Sequence, residues 1–428
     1  MEKKVKKKLY WRKLDDQAKV FALASNRKYS SIFRLSVVLK EIIEPEFLQQ
    51  AVELALEKYK VFKVKLRHGF FWYYFEENKL KPIINKENEY PFKKINTKEN
   101  NDYLFKVTYF DKKINIDFFH VLTDGSGGAE FLKEILYRYL EFKYPNELEK
   151  QEMNQEEIIK DSENAYKKNY RRYKRNNIHF KKAYMLKGEE LQKGQVAINH
   201  FNINLNDIKK YTKQKECSLS MYLVAMIAYS TYETNYKVNN GKEPINLCIP
   251  INLKKYFETE TLSNFFSYMM VSLSLKKNET YSFDDILNIV KKEFEKKLKI
   301  EKIMKTMSLD AGTTNNFLVR IVPLLIKKIV VRLGSLEVKR HFTMTISNTG
   351  KFEVQDKYKK YIESTLVILA PDWAEKVKCG ICSYGDNLVV TFGSLLQDNS
   401  IERVFKNLLV ENNIKFKTEG NEVNVISN

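Results

Sequence analysis

The sequence has few of the residues that characterise disulfide-rich, low-complexity or membrane-spanning proteins. Its 428 residues include 14 glycines, 8 prolines and 4 cysteines. So little glycine and proline argues against long disordered linkers. Four cysteines in so long a chain argue against a disulfide framework. The longest uncharged stretch, residues 217–232, contains several hydroxyl side chains and falls short of the ~20 apolar residues that a membrane span needs. We therefore expect a buried helix there.

The N-terminus is basic, but no apolar stretch of an export signal follows it. We therefore predict a cytoplasmic protein with no transmembrane segment. Lys and Arg total 74 against 54 Asp and Glu, which gives a net charge of +20. Such a balance is compatible with nucleic acid, a membrane surface or an anionic cofactor. Because the basic residues are spread along the whole chain, we expect no nucleic-acid partner.

Hydrophobic residues make up 43% of the chain, including 27 Phe and 26 Tyr. That is enough apolar mass for two domains of about 200 residues each. Residues 31–39 alternate as a strand, and Pro45 is placed to begin a helix. Hairpins are predicted within 61–75 and 104–119. The Glu-rich segment 141–164 is interpreted as the crossover between domains at 1–165 and 166–428.

The second half shows the same mixture of apolar patterns. Strands are predicted at 196–205, 245–249, 266–275, 342–347, 364–369, 380–384 and 388–392. Helices are predicted at 219–232, 283–304, 316–333 and 401–412, with Asn206 as a cap. Because strands and helices do not alternate strictly, the order favours an α+β fold over a doubly wound parallel sheet.

One segment combines the residue types that acid–base catalysis needs. His120 follows a predicted strand, Asp124 lies four residues later, and three nearby glycines precede a predicted helix. A neutral imidazole can accept a proton and return it near pH 7. Gly125 can adopt backbone angles that other residues avoid, and Gly127 and Gly128 would let substrate or a second lobe approach closely. We expect the helix N-terminus to keep His120 neutral. The alternative is a core histidine beside a plain Asp-Gly turn.

The motif His120-x-x-x-Asp124-Gly125 resembles the active site of the CoA-dependent acyltransferase superfamily. That superfamily includes chloramphenicol acetyltransferase, plant BAHD acyltransferases and peptide-synthetase condensation domains. Weaker similarities point to bacterial alcohol acetyltransferase-like proteins. They lie in YWRKLDDQAK (10–19), PINLK (250–254), TLSNF (261–265) and SNTG (347–350).

The resemblance implies two chloramphenicol-acetyltransferase-like α/β sandwich lobes, with mixed sheets, covering helices and a tunnel between the lobes. It implies that His120 deprotonates an alcohol acceptor, which attacks acetyl-CoA or another acyl-CoA, and then protonates the leaving thiolate. CoA is then a co-substrate, with no bound cofactor. Three alternatives stay open: N-acylation of an amine, a thioester on an acyl carrier protein, and a non-catalytic binding member of the fold. We expect a monomer.

Asp124 is implied to hold the loop through a cation, with Lys254 and Arg34 as the candidates. The family usually has Arg at position 254, and Lys lacks its planar fork. Phe119 occupies the place where many members have a second His. Oxyanion or substrate contacts are expected from the resembling blocks or from backbone amides. The candidate side chains are Asn252, Ser263, Asn264 and Asn348.

Several other patterns are open to a functional and a structural interpretation. Cys379 and Cys382 have the spacing of half a metal site, but they lie in a predicted strand, and we expect no metal. Residues 166–182 are basic with tyrosines at helical spacing. They could contact nucleic acid, although a solvated crossover helix is favoured. Residues 316–333 could lie on a membrane, form core, or line a channel.

Overall fold

A computed structural model of the chain describes residues 10–25, 31–92, 95–96, 98–150, 163–173 and 181–423, without the side chains of 313–315 and 318. The strands of this part, in chain order, are β1 (Trp11–Lys13), β2 (Ile32–Leu39), β3 (Val64–His68), β4 (Tyr73–Glu77), β5 (Ile84–Lys86), β6 (Phe105–Phe110), β7 (Lys113–Phe119), β8 (Ala197–Asn204), β9 (Ile245–Asn252), β10 (Phe266–Leu273), β11 (Met344–Lys351), β12 (Ile362–Leu369), β13 (Val377–Tyr384), β14 (Asn387–Ser394) and β15 (Phe416–Gly420).

Helices alternate irregularly with these strands. They are α1 (Asp16–Ala24), α2 (Pro45–Lys58), α3 (Gly125–Lys143), α4 (Ala165–Lys168), α5 (Leu205–Gln214), α6 (Leu219–Thr231), α7 (Phe283–Lys297), α8 (Ile300–Asn315), α9 (Phe317–Ile321), α10 (Leu324–Lys339), α11 (Asp356–Lys359) and α12 (Ser400–Glu411). No helix in the described ranges is long and apolar enough to cross a bilayer.

The strands form two large mixed sheets and one small one. The first large sheet has the order β12-β2-β7-β6-β5, and the second has the order β10-β9-β11-β13-β14-β8-β15. The small sheet, β1-β4-β3, contains the predicted hairpin around His68. Helices α2 and α3 pack on each other beside the first sheet, while α7 and α8 pack against β10 of the second. The mixed sheets with covering helices confirm the predicted α+β class.

The apolar pattern of α2 shows how the sequence determines one of these covering helices. Pro45 lies in its first turn, where the missing N–H costs nothing. Leu48, Ala51, Val52 and Ala55 recur at helical spacing, and all four are fully buried. The helix therefore buries one continuous face in the core of the first sheet.

Three predictions about the second half were wrong in detail. The predicted helix at 283–304 is two helices, because α7 ends at Lys297 and α8 begins at Ile300. The predicted helix at 316–333 is divided between α9 and α10 at Pro323, which cannot donate a helical hydrogen bond. Asn204 caps α5, not Asn206: its side chain accepts from the backbone N–H groups of Asn206 and Asp207.

The two large sheets are joined by a strand from the second half of the chain. Strand β12 pairs antiparallel with β2 in the first sheet. It also packs against β13 of the second sheet, where a Cβ atom added at Gly380 would lie 2.0 Å from the Val367 carbonyl oxygen. Only glycine permits this approach of two backbones. The domain boundary at residue 165 stays a prediction, with β12 crossing between the two halves.

Candidate active site

His120 lies immediately after β7, where the strand leaves the first sheet. Its backbone N–H donates to the Ser31 carbonyl oxygen at 2.8 Å. Its imidazole lies among three phenylalanine rings: the ring of Phe21 stacks at 4.5 Å between centroids, with Phe33 at 4.8 Å and Phe266 at 5.4 Å. These rings come from α1, β2 and β10, so both large sheets contribute to the environment of one side chain.

A chain of two further side chains fixes the proton on this imidazole. The Nδ1 atom of His120 lies 3.0 Å from Oδ1 of Asn264, and Nδ2 of Asn264 donates to Oδ2 of Asp15 at 3.1 Å. A carboxylate can only accept, so it orients the amide with its oxygen toward His120. An amide oxygen also only accepts, so Nδ1 bears the proton. The Nε2 atom is then left with its lone pair.

Asp15 is itself held by its position at the N-terminus of α1. Its Oδ1 accepts from the Ala18 backbone N–H at 2.7 Å, which caps the helix. Its Oδ2 also accepts from the Asn264 backbone N–H at 3.3 Å. Burial raises the pKa of Asp15 to about 6, although these N–H donors and nearby Arg12 oppose the rise. At neutral pH the carboxylate therefore remains the predominant form.

The pKa of His120 lies below the ordinary histidine value. Burial is the main cause, because it penalises the imidazolium, and the Asn264 hydrogen bond and the charge of Asp124 offset it only in part. The direction agrees with the expected neutral imidazole, and burial is its main cause.

Asp124 caps α3 and connects the two halves of the chain. Its Oδ1 accepts from the backbone N–H groups of Ser126 and Gly127, and Lys254 Nζ lies 3.3 Å from the same oxygen. Its Oδ2 accepts from the Phe265 backbone N–H at 2.8 Å. Burial opposes ionisation, but Lys254 and these donors outweigh it and hold the pKa of Asp124 below its usual value.

Of the two candidate cations, Lys254 contacts Asp124, whereas Arg34 has other partners. Arg34 forms a two-bond contact with Asp117 across β2 and β7, and its NH1 atom lies 2.6 Å from Glu87. The planar guanidinium matches two carboxylates in the first sheet. The Lys254 ammonium also donates to the Ser126 hydroxyl at 2.8 Å, so it braces the first turn of α3.

The glycines after Asp124 permit close contact between the first turn of α3 and the loop before β10, and they do not form an unusual turn. Gly125 begins α3 and does not have a positive φ angle, so the wider backbone freedom of glycine is not used at this position. A Cβ atom at Gly127 would lie 2.1 Å from the Leu262 carbonyl oxygen. The Thr123 hydroxyl donates to that same carbonyl at 2.6 Å. The first turn of α3 therefore lies directly on the loop before β10.

His120 lines a cavity of about 310 Å³ between the lobes. Phe21, Phe33 and Phe266 form an apolar wall, and a polar end contains Glu375 and Lys378, whose charged atoms lie 3.2 Å apart. A second cavity, of about 120 Å³, shares Gly125, Ser126 and Thr349 with the first. Lys133 and Lys351 line the second cavity. Both cavities thus adjoin the first turn of α3.

The four candidate side chains for oxyanion or substrate contacts lie in different places. Asn252 and Asn348 line the larger cavity. Asn348 donates to the Ser220 hydroxyl at 3.2 Å, and Asn252 accepts from the Lys254 backbone N–H at 3.0 Å. Asn264 and Ser263 are buried beside the cavity: Asn264 binds His120 and Asp15, while the Ser263 hydroxyl accepts from Arg12 at 3.1 Å.

The cysteine pair and the basic stretch after residue 165 form no second site among the described residues. Cys379 and Cys382 are buried in β13 as free thiols, and no group of residues in the described ranges could hold a metal ion. Tyr166 of α4 is buried and donates its hydroxyl to the Phe266 carbonyl oxygen at 2.8 Å. The predicted basic helix does not continue over residues 169–173, which follow α4 without helical structure. Residues 174–180 lie outside the described residues.

Sequence reasoning missed Asp15, Phe21 and Phe266. Asp15 lies in the block 10–19, and the sequence indicates no individual role for it. A signal was present, because Asp15-Asp16 before the apolar run of α1 is typical of a helix N-terminus. Nothing in the local sequence indicates that Asp15 contacts Asn264, since that contact joins residues 249 positions apart.

The chain is similar to known proteins in its fold but not in its sequence. No protein-family model and no curated protein matches the sequence. Solved structures match over nearly the whole chain. The trichothecene 15-O-acetyltransferase TRI3 from Fusarium sporotrichioides superposes with a TM-score of 0.62 at 11% identity, covering 94% of each chain. The chain therefore shares the fold of this acetyltransferase.

Two further solved structures also match the fold of this chain. TRI101 from F. sporotrichioides, complexed with coenzyme A and T-2, gives a TM-score of 0.64 at 10% identity and covers 95% of this chain and 99% of its own. A starter condensation domain of rhizomide synthetase, in complex with C8-CoA and Leu-SNAC, gives 0.57 at 10% identity and covers 94% of each chain. The resemblance seen in the sequence is thereby confirmed at the level of the fold.

Proposed function

We propose that the protein transfers an acyl group, in the first instance acetyl, from CoA to an alcohol, with His120 as the general base. The observation that supports this most strongly is the orientation of His120. Its Nδ1 atom is occupied by Asn264, which leaves Nε2 as the basic nitrogen of a side chain that lines the cavity between the lobes. Burial also lowers its pKa, so the neutral form predominates near pH 7.

The proposed reaction has one base that acts twice. The acceptor hydroxyl loses its proton to Nε2 of His120 as its oxygen attacks the thioester carbonyl carbon. The tetrahedral intermediate then collapses, the carbon–sulfur bond breaks, and the imidazolium returns the proton to the leaving thiolate. The products are an ester and free CoA, and His120 is neutral again.

Asn264 and Asp15 act in this proposal as positioning residues. They hold the imidazole in one tautomer through the Nδ1 atom, and they touch no reacting atom. Asn264 was a candidate oxyanion donor, but its amide faces His120 and Asp15, so we do not retain that role. Asn348, whose amide lies at the cavity wall, is the proposed donor. Its replacement by Asp or Ala is expected to depress turnover more than acceptor binding.

The cavities suggest how the two substrates approach. Lys133 and Lys351 line the smaller cavity, where they pair with Glu130 and Glu353, and we assign to these two cations the phosphates of CoA. The larger cavity, with its phenylalanine wall, suits an apolar acceptor. Because the two share Gly125, Ser126 and Thr349, donor and acceptor can meet beside His120. Asp124 and Lys254 maintain this junction and take no part in proton transfer.

The donor and acceptor classes are separable in one experiment. Thiol release is measured with acetyl-CoA, longer acyl-CoAs and thioesters on an acyl carrier protein, each with a panel of alcohols and amines. The proposal predicts the highest kcat/KM for free acyl-CoA with an alcohol. Preference for amines would favour N-acylation, and preference for carrier thioesters would favour a condensation-type reaction. Absence of release with every pair would indicate a non-catalytic binding protein.

A further inference from the structure

Helices α9 and α10 turn an apolar face outward. Leu325, Ile329 and Leu333 follow one another at helical spacing, and they are 73%, 60% and 64% exposed. Further large apolar side chains of α9 and α10 are also exposed; they are Phe317, Ile321, Ile326, Val330 and Leu336. We call these eight residues the outer stripe. So large an apolar surface exceeds the scattered hydrophobic residues of an ordinary protein surface.

The polar side of α10 faces the protein, which reverses the usual arrangement of a surface helix. Lys327 is buried, donates to the Phe71 carbonyl oxygen at 2.9 Å, and lies 3.7 Å from the centre of the Trp72 ring. Arg332 donates to the Ser25 carbonyl oxygen at 2.8 Å. These contacts fix the rotation of α10 about its axis. The apolar face of the helix is therefore held on the outside of the protein.

The surface around the outer stripe is aromatic and basic. The stripe adjoins the hairpin of β3 and β4, where the Leu324 N–H donates to the carbonyl oxygen of the exposed Phe70 at 3.0 Å. A neighbouring groove is lined by Trp11, Trp72, Tyr73 and Tyr74 together with Lys13, Lys19, Arg320 and one acidic residue, Glu76. Tryptophan, tyrosine and cations beside an apolar surface are typical of the headgroup level of a bilayer.

Charge distinguishes between the possible occupants of this surface. Residues 317–339 contain five Lys or Arg and a single acidic residue, Glu337. Lys327 and Arg332 turn inward and Lys339 pairs with Asp372, whereas Arg320 and Lys328 lie at the edge of the stripe. A two-fold dimer through the stripe would bring Arg320 and Lys328 of both copies together, because such an interface places the same surface on both copies. An anionic lipid surface would instead meet them with opposite charge.

We propose that the outer stripe docks the protein on the surface of an anionic phospholipid bilayer. The apolar side chains of α9 and α10 enter the boundary between headgroups and acyl chains, with the helices lying along the surface. Arg320 and Lys328, at the edge of the stripe, contact lipid phosphates. This inference does not depend on the proposed acyl transfer.

Co-sedimentation with lipid vesicles tests the proposal on the full chain. The native protein is expected to pellet with vesicles that contain phosphatidylglycerol and much less with pure phosphatidylcholine. Combined Leu325→Ser, Ile329→Ser and Leu333→Ser is expected to lower the partition coefficient by at least about tenfold, since each serine removes apolar area from the lipid contact. Separate Arg320→Gln and Lys328→Gln should weaken binding at low salt only.

A matched variant controls for the general loss of exposed apolar residues. Ile42, Val238 and Val410 are exposed at other places, and their combined replacement by serine should leave vesicle binding unchanged. Thermal unfolding of both triple variants verifies that they are folded. The proposal is overturned if the native protein does not bind either vesicle, or if the two triple variants bind equally. It is also overturned if the native protein self-associates through the stripe and the stripe variant is monomeric.

Discussion

At the residue scale, the chemistry proposed for His120 depends on two side chains that touch no substrate. Asp15 orients Asn264, and Asn264 orients the imidazole. The histidine and its Asp-Gly partner were predictable, because the spacing and the residue types are local. The positioning pair was not, because its contacts join β7, α1 and the loop before β10. Phe21 and Phe266 were missed for the same reason.

Asp15→Asn should lower kcat while leaving the fold intact. An asparagine can still cap α1, but its amide group can donate to Asn264 and so favour a flipped amide there. The flipped Asn264 would donate to Nδ1 and leave the proton on Nε2. We expect kcat to fall by about 10²–10⁴-fold, the range associated with a base held in the wrong tautomer. Asp16→Asn, at the adjacent carboxylate, is the control, and equal rates for both variants would contradict the account.

The pH dependence of kcat/KM should reflect the lowered pKa of His120. The neutral imidazole is the active form, so activity is present above the pKa and is lost as the pH falls through it. Because burial lowers this pKa, the acid limb should lie below the ordinary value of about 6.5. Protonation of Asp15, whose pKa is about 6, acts in the same direction. The profile is measured with saturating acyl-CoA. An apparent pKa above the ordinary histidine value on the acid side of this profile would contradict the prediction.

At the scale of elements, the N-terminus of α3 is the joint between the lobes. Strands with strict alternation and helices with one apolar face were predictable, as β2 and α2 illustrate. Helix ends were less so: the break between α7 and α8 has no proline, and the cap of α5 lies two residues earlier than expected. The pairing of β12 with β2 could not be predicted, because the two strands are far apart in the sequence and no local pattern indicates which strand pairs with which.

Asp124→Asn should destabilise this joint by about 3 kcal/mol in the free energy of unfolding, because it leaves the part-buried Lys254 without its charged partner. Lys254→Met should do likewise by stranding the carboxylate, whereas Lys254→Arg should retain most stability. Because the pKa of Asp124 is lowered in the folded state, its contribution is present above the usual aspartate pKa and is lost as the pH falls. Denaturant unfolding at several pH values measures the stability of each variant and its pH dependence. Unchanged stability in Asp124→Asn would contradict the proposed contribution of the Asp124–Lys254 contact.

At the scale of the whole molecule, the two halves of the chain come into close contact at a glycine, Gly127, which lies against the Leu262 carbonyl oxygen. Gly127→Ala should lower both the melting temperature and kcat, because its Cβ atom would meet the Leu262 carbonyl oxygen at 2.1 Å. Gly334→Ala in α10 is the matched control. Its Cβ atom would meet nothing within 4 Å, so the protein should gain up to about 1 kcal/mol from helix propensity. Equal melting temperatures for the two variants would mean that the lobes do not meet at Gly127.

The whole molecule also shows what apolar periodicity leaves undetermined. Residues 316–333 were compatible with a core helix, a channel wall or a membrane surface. Hydrophobic spacing identifies a face, but only tertiary packing decides whether that face is covered. The inward contacts of Lys327 and Arg332 decide it for α10, and they leave the apolar side exposed.

The most direct test of the proposed function is acceptor-dependent thiol release from acetyl-CoA by the native protein, His120→Ala and His68→Ala. His68 is an exposed histidine on β3, so its replacement controls for the loss of an imidazole. We predict release by the native protein and by His68→Ala, and a loss of about 10²–10⁴-fold in His120→Ala, the contribution expected of a general base. Undiminished release by His120→Ala would show that another group accepts the proton and would contradict the account.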